Sequence, residues 1–213
     1  YALDIMVKVV ATRIMRIFHS NPDQQPSPRS VFLPNVVKTS TTLPLCRYSN
    51  TPKNILFVGA LYYSPNYLGL DHFITKIFPV IKKAEPDATL SIVGKGLPDA
   101  YETKWKGIDG LLFKGFVPQI ENEYKECRLS ILPIYQGGGT SVKFIESICN
   151  NRPCVSTPFG ARGYSSRFVS GEDYLLATDK ESFAGQIIKQ MGAQFSKEKA
   201  DSLGSTILVG NKF

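Results

Sequence analysis

What most constrains the fold of this chain is a series of short apolar runs, several of them stopping at glycine, each separated from the next by a helix-like segment. Runs of this kind lie at 54–59, 88–94, 111–116, 128–134, 154–157 and 174–177. They are too short and too continuously apolar for amphipathic helices, and they read as strands buried on both faces. Between them, Leu70, Phe73, Ile74, Ile77 and Ile81 recur at helical spacing in a segment that Ser64 and Pro65 open as N-cap and first residue and that Glu85-Pro86-Asp87 closes. Shorter helices are predicted at 98–106 and 118–127, and longer ones at 180–191 and 196–208. Strands alternating with helices require a parallel sheet covered on both faces, a doubly wound, Rossmann-like α/β domain. In such sheets ligands bind beyond the carboxyl ends of the strands. Gly59, Gly94, the 115–117 stretch and the Gly137-Gly138-Gly139 turn all lie there, so one cleft is expected to gather them.

The sharpest local signal is Gly137-Gly138-Gly139-Thr140-Ser141-Val142-Lys143-Phe144-Ile145-Glu146. A strand, a glycine turn and a helix start together make an anion site, because backbone N–H groups approach a phosphate with no Cβ in the way and the helix dipole adds positive potential. Thr140 is the expected N-cap. Lys143 then falls in the first turn, a poor place for a cation unless an anion sits nearby. Glu146 follows three residues later on the same face, while Val142, Ile145 and Cys149 form a buried face. The reading is a nucleotide-diphosphate site, with glycine amides and Lys143 for phosphate and Glu146 for ribose hydroxyls. The alternative is a plain glycine turn with a surface Lys–Glu pair, since the pattern is neither a P-loop nor G-x-G-x-x-G.

Composition narrows the function classes. Twenty-five basic against 18 acidic residues give a net charge of +7, which suits phosphate-bearing ligands or an anionic membrane surface; the scattered basic residues and the lack of a nucleic-acid motif argue against DNA or RNA. Cys46, Cys127, Cys149 and Cys154 form no CxxC pair and are expected to be reduced thiols in a cytoplasmic setting, with no metal site. No apolar run reaches the ~18–20 residues of a membrane span. The chain starts at Tyr1 and is expected to be a piece of a longer protein. Residues 1–19 suit a helix or a strand plus a helix, 21–30 hold three prolines, 30–37 are extended, and 38–53 make a polar connector.

The ordered series Phe57-Val58-Gly59, Pro65-Asn66-x-x-Gly69-Leu70-x-x-Phe73, Ile77-Phe78-Pro79, Pro86-x-Ala88-x-Leu90-x-Ile92-Val93-Gly94, Gly115-x-Val117, Pro133-x-x-x-Gly137-x-Gly139-Thr140-x-x-Lys143-x-x-Glu146, Pro153-x-Val155-Ser156-Thr157 and Gly160-x-x-Gly163 resembles the C-terminal, donor-binding domain of the group 1 (family 4) glycosyltransferases with the GT-B fold. The resemblance runs from about residue 54 to residue 191, and Leu33-Pro34-Asn35-Val36 resembles the segment where that family's chain crosses between domains. It implies residues 1–50 as the remnant of an N-terminal domain with its linker, 51–195 as the nucleotide-sugar domain and 196–213 as a C-terminal helix or tail. It also implies a retaining transferase that moves a sugar from a nucleotide-diphosphate donor to an acceptor in polysaccharide or glycolipid synthesis, usually without a bound metal or other cofactor. Glu146 would hold the ribose, backbone around Val117 the base, and the glycine turn the diphosphate, with Gly59 and Asn66 at the cleft. The acceptor site would lie in the missing N-terminal domain, so the chain alone is expected to be inactive. The full protein would be cytoplasmic, with peripheral attachment to the inner membrane where the acceptor is lipid-linked.

Two departures stand out. Many members of that family carry a second glutamate eight residues before the one at Glu146; here that position is Gly138. Many carry basic residues after the first strand, yet none occurs between Lys53 and Lys76, and Lys143 is the substitute. A branch with the Gly-x-Gly-x-x-x-Lys-x-x-Glu pattern has both features. Asn66 divides between a cleft contact and turn or cap duty, the second favoured. Lys95 reads as a loop lysine, Arg162 as a loop residue with phosphate contact as the second option, Tyr101 and Trp105 as packing, and His19 and His72 as structural. The competing functions are an epimerase-like nucleotide-sugar domain and a non-enzymatic α/β binding or interaction module.

Overall fold

The computed structural model describes residues 17–19, 30–32, 52–138, 141–150, 152–164 and 168–192. The predicted helix at 196–208, Gly139, Thr140 and Cys46 lie outside them. Two short strands, β1 (Ile17–His19) and β2 (Ser30–Phe32), pair in parallel. The domain itself alternates β3 (Asn54–Val58), α1 (Ser64–His72), a π-helical turn (Phe73–Ile77), α2 (Phe78–Ala84), β4 (Thr89–Val93), α3 (Asp99–Trp105), β5 (Leu111–Gly115), α4 (Ile120–Glu126), β6 (Leu129–Leu132), α5 (Val142–Cys149), β7 (Cys154–Ser156), β8 (Leu175–Leu176) and α6 (Lys180–Gly192).

All six strands β3 to β8 run parallel, in the order β5-β4-β3-β6-β7-β8. The chain first steps outward from β3 through β4 to β5, then returns to the other side of β3 with β6. The strand order therefore reverses between β3 and β6, and a crevice must open where the loops after those two strands part. The period of two along β3 assigns its faces. Ile55 and Phe57 pack into the large core with Leu70, Phe73, Ile74, Ile77 and Ile81, while Leu56 and Val58 pack with Val93, Val117, Tyr124 and Cys127. Trp105 is buried, stacks on Phe113 and donates its indole N–H to the Asp71 carboxylate at 2.9 Å, so its packing reading holds.

Helix starts depart from expectation. Tyr63, not Ser64, occupies the N-cap of α1, with no side-chain cap, and Pro65 sits at the second helical position. The long helix also changes pitch, since Phe78 N–H bonds to the Phe73 carbonyl, five residues back. Pro79 has no N–H to offer, and the wider turn just before it absorbs that missing bond. Gly69 explains how closely this helix sits on the sheet. A Cβ built there would lie 1.9 Å from the Pro133 carbonyl oxygen, so only glycine lets α1 rest on the tip of β6.

Candidate functional site

The crevice is built from three chain segments. The first is the tip of β3. Gly59 N–H bonds to the Val93 carbonyl at 2.9 Å, continuing the ladder one residue past the strand. Asn66 is 3% exposed and donates from Nδ2 to the Ala60 carbonyl at 2.7 Å, which fixes the turn between β3 and α1. Its turn duty is thereby explained, and it lies directly against Gly59: a Cβ at Gly59 would meet Asn66 Nδ2 at 3.1 Å and Lys143 Cε at 2.5 Å. Lys143 thus reaches back from α5 and lays its stem over the end of β3, in the space the missing side chain leaves.

The second segment is the turn after β6. Gly137 has φ of +127°, a conformation that L side chains rarely adopt, and a Cβ there would stand 2.9 Å from the Tyr63 hydroxyl. Gly138 N–H points to that same hydroxyl at 3.4 Å, and the Gly138 carbonyl accepts a bond from Arg162 Nη2 at 2.7 Å. Both glycines are exposed. The third segment is α5. Its N-cap position is Ser141, with no side-chain cap bond, and helical geometry begins at Val142. Val142 is 43% exposed, against its expected place in the core, because it is the first helical residue and its side chain tilts back off the N-terminus. Ile145 and Cys149 are buried as expected. The buried hydroxyls of Ser147 and Ser130 meet at 2.5 Å, and Ser147 also bonds to the Arg152 carbonyl at 3.2 Å. That contact fixes the rotation of α5 on β6, and the fully buried Phe144 stacks on Tyr164 with ring centroids 5.0 Å apart.

With α5 so held, Lys143 and Glu146 are both partly buried, and Lys143 reaches the tip of β3. Neither makes an ion pair with a described residue, so the plain surface-pair reading does not describe them. They sense each other at longer range. Burial pushes the Lys143 ammonium below its ordinary pKa, and Glu146 draws it partly back. Burial pushes the Glu146 carboxyl above the usual range, Lys143 offsets part of that, and Glu121 adds to it. An acid whose folded pKa is raised costs stability once pH exceeds that value, and the cost disappears below its unfolded pKa. Glu146→Gln is therefore expected to raise the melting temperature at neutral pH. The gain should vanish by about pH 4, near the pKa of an unfolded glutamate. Melts of both proteins across that range check it; equal melting temperatures at pH 7 would contradict the desolvated placement.

Val117 turns its side chain into the small core beside Leu56 and Tyr124, which leaves its backbone at the end of β5 as the part available to a ligand. Lys95 stands over the exposed Phe116 ring at 5.6 Å. His72 edges onto Tyr135, at 5.2 Å, ahead of the glycine turn. Burial raises the Cys149 and Cys154 thiols to about 11, so neither supplies a thiolate. Gly59, Asn66, Lys143, Gly137 and Gly138 therefore lie around the β3–β6 switch point, Glu146 stands one turn further along α5, and Val117 follows β5, two strands away from β3. Tyr63 was not singled out from the sequence, and Arg162 only as a second option. Their contacts to Gly138 span 75 and 24 residues, a distance no local pattern reports.

Residues 52–192 match the family model described as glycosyl transferases group 1. An uncharacterised 44.6 kDa protein in the cps region of Klebsiella pneumoniae is 26% identical over 179 residues, which cover 81% of this chain and 46% of that protein. Among solved structures, TarM superposes with a TM-score of 0.70 at 16% identity, covering 85% of this chain and 36% of TarM. Anabaena Alr3699/HepE, solved in complex with UDP and glucose, gives 0.65 at 14% identity over 90% of this chain and 56% of its own. WaaG, a glycosyltransferase involved in lipopolysaccharide biosynthesis, gives 0.63 at 15% identity over 89% and 56%. The chain thus spans about half the length, or less, of the relative and structures it matches.

Proposed function

The chain belongs to the group 1 glycosyl transferases, and from that premise we propose that its α/β domain is the half of a two-domain, GT-B sugar transferase that binds the nucleotide-diphosphate sugar. Residues 51–195 are the donor domain, 1–50 the remnant of an acceptor domain with its linker, and 196–213 a tail. The pyrophosphate lies along the Gly137–Gly139 turn and Thr140, facing the start of α5, with Lys143 supplying the cation. Glu146 takes the ribose hydroxyls and backbone near Val117 meets the base. Gly59 and Asn66 form the floor. As the sugar leaves, negative charge grows on the diphosphate, and fixed amide and ammonium donors in a partly dry crevice stabilise it without reorganising. Transfer with retention would take place once an acceptor domain closes over this face.

The observation that carries this reading is the position of Lys143. Its stem fills the space over Gly59 at the switch point and no acidic side chain among the described residues pairs with it, so its charge is left for an anion. The UDP bound in the Anabaena neighbour supports a nucleoside diphosphate as that anion. A cps-region relative and a lipopolysaccharide enzyme among the structural neighbours support polysaccharide or glycolipid assembly, in the cytoplasm or peripherally at the inner membrane. The net charge of +7 suits the latter. Among the described residues no helix is long and apolar enough to cross a membrane.

Calorimetric titration with uridine, guanosine and adenosine diphosphates tests the reading. One of them is expected to bind, and Glu146→Ala to weaken it about tenfold to a hundredfold, the usual worth of hydrogen bonds to a charged group. No binding by any of the three, with Glu146→Ala also silent, would instead favour a non-enzymatic interaction module.

A further inference from the structure

Among the described residues, Arg162 is a guanidinium with no carboxylate beside it. It follows β7, in the loop that the Thr157 hydroxyl ties to the tip of β6 by bonding to the Ile134 carbonyl and accepting from Gly160 N–H at 3.0 Å. The planar group lies 3.8 Å from the Phe159 ring centroid. It donates from Nη1 to the Phe159 carbonyl at 2.6 Å and from Nη2 to the Gly138 carbonyl at 2.7 Å. Among the described residues these are its only hydrogen bonds, so most of its five N–H donors have no protein acceptor there. The group is half-buried, and burial is the first cause pulling its pKa down, with the nearby Tyr63 and Tyr164 acting the other way. Among the described residues, this cation taken partly out of water meets two neutral carbonyls and a ring face but no carboxylate, so it is under-compensated.

Topology places this charge relative to Lys143. In the sheet, β6 lies between β3 and β7. Lys143 extends to the tip of β3, and Arg162 comes from the loop after β7. The two cations therefore approach the β6 glycine turn from its two sides. Position 138, between them, carries no side chain and so no carboxylate to neutralise the guanidinium.

We propose that Arg162 is a second anion contact of the donor site, taking an oxyanion of the ligand on the β7 side of the glycine turn. That oxyanion belongs either to the distal phosphate or to the carboxylate of an acidic sugar. A guanidinium fork pairs with both in the same bidentate geometry, which a lysine cannot reproduce. The inference rests on the donor-binding reading above. It adds that the site is built for more negative charge than Lys143 alone can meet, and it makes Arg162 the residue that separates uronate donors from neutral hexose donors if the carboxylate is its partner.

The test uses the whole chain as wild type, Arg162→Gln and Arg162→Lys. Each is titrated at low and high salt with the nucleoside diphosphate that binds tightest and with its hexose and hexuronate conjugates. Arg162→Gln is expected to lose about tenfold to a hundredfold in affinity, and Arg162→Lys to recover part of it. The loss should shrink at high salt, because an ionic contact has gone. Loss for all three ligands assigns the phosphate; loss for the uronate conjugate alone assigns the carboxylate. A purely structural role, holding the turn through Gly138, would instead lower the melting temperature and give a loss independent of salt, and that result overturns the proposal. So does wild-type affinity of Arg162→Gln for all three. Wild-type protein that binds no nucleotide overturns the donor-site reading and this inference together, whereas the two preceding outcomes leave that reading standing.

Discussion

Lys143→Met is expected to cut affinity for a nucleoside diphosphate about a hundredfold while leaving the fold intact. Methionine keeps an unbranched stem to lie over Gly59, so the packing against the β3 tip and Asn66 survives and the charge alone is removed. A charge-assisted contact in a partly desolvated site contributes ~2–5 kcal/mol when one partner is truncated, far more than an exposed ion pair. Burial already holds the free ammonium below its ordinary pKa, so a bound diphosphate should return that pKa upward and take up protons at alkaline pH. Calorimetry in buffers of different ionisation enthalpy measures both quantities. Unchanged affinity with an unchanged melting temperature would mean that the ammonium faces no anion.

Gly69→Ala should destabilise the domain strongly. The new methyl would sit 1.9 Å from the Pro133 carbonyl oxygen and 3.0 Å from its carbon, both backbone atoms of the segment that leads to the glycine turn. Neither can swing aside as a flexible side chain would, so α1 must lift from β6. Overpacking of this kind costs ~1–3 kcal/mol or somewhat more. For a domain of this size the upper end corresponds to a fall of about 10 °C in melting temperature. Helix propensity points the other way, since alanine in a helix interior gains ~1 kcal/mol over glycine. A thermal melt therefore separates the two effects: a raised melting temperature would show that α1 does not rest on the β6 tip. Because the displaced carbonyl precedes Gly137 by four residues, Gly69→Ala should also weaken nucleotide binding.

The sheet was legible because its strands carry their signal locally. Asn54–Val58 and Thr89–Val93 are apolar, short and closed by Gly59 and Gly94, which leaves little besides a buried parallel strand. Their parallel pairing followed from the alternation with helices, whereas their order across the sheet was not read from the sequence. What local pattern missed has long-range or competing causes. The π-helical turn at Phe73–Ile77 keeps the apolar spacing of a helix, so periodicity hides it, and only the missing N–H of Pro79 betrays it. Val142 matches the core face by spacing but escapes it by standing at the helix start. Asn66 was rightly given to turn duty, yet that duty is also what holds the floor of the crevice. The glycine turn, Lys143 and Glu146 were singled out as a set because an anion site would need those residue types in that order, and their role there is a proposal that rests on Lys143 reaching the β3 tip. Tyr63 and Arg162, which grip Gly138 from either side, were not, because they come from other strands' loops and meet the turn only once the sheet assembles.

A crystal structure of the chain soaked with the nucleoside diphosphate that it binds most tightly tests the central claim most directly. The account predicts pyrophosphate oxygens against the Gly137–Gly139 turn, Lys143 Nζ within ion-pair distance of one of them, and a Glu146 carboxylate oxygen on a ribose hydroxyl. A nucleotide bound elsewhere, or a ribose turned away from Glu146, would contradict it.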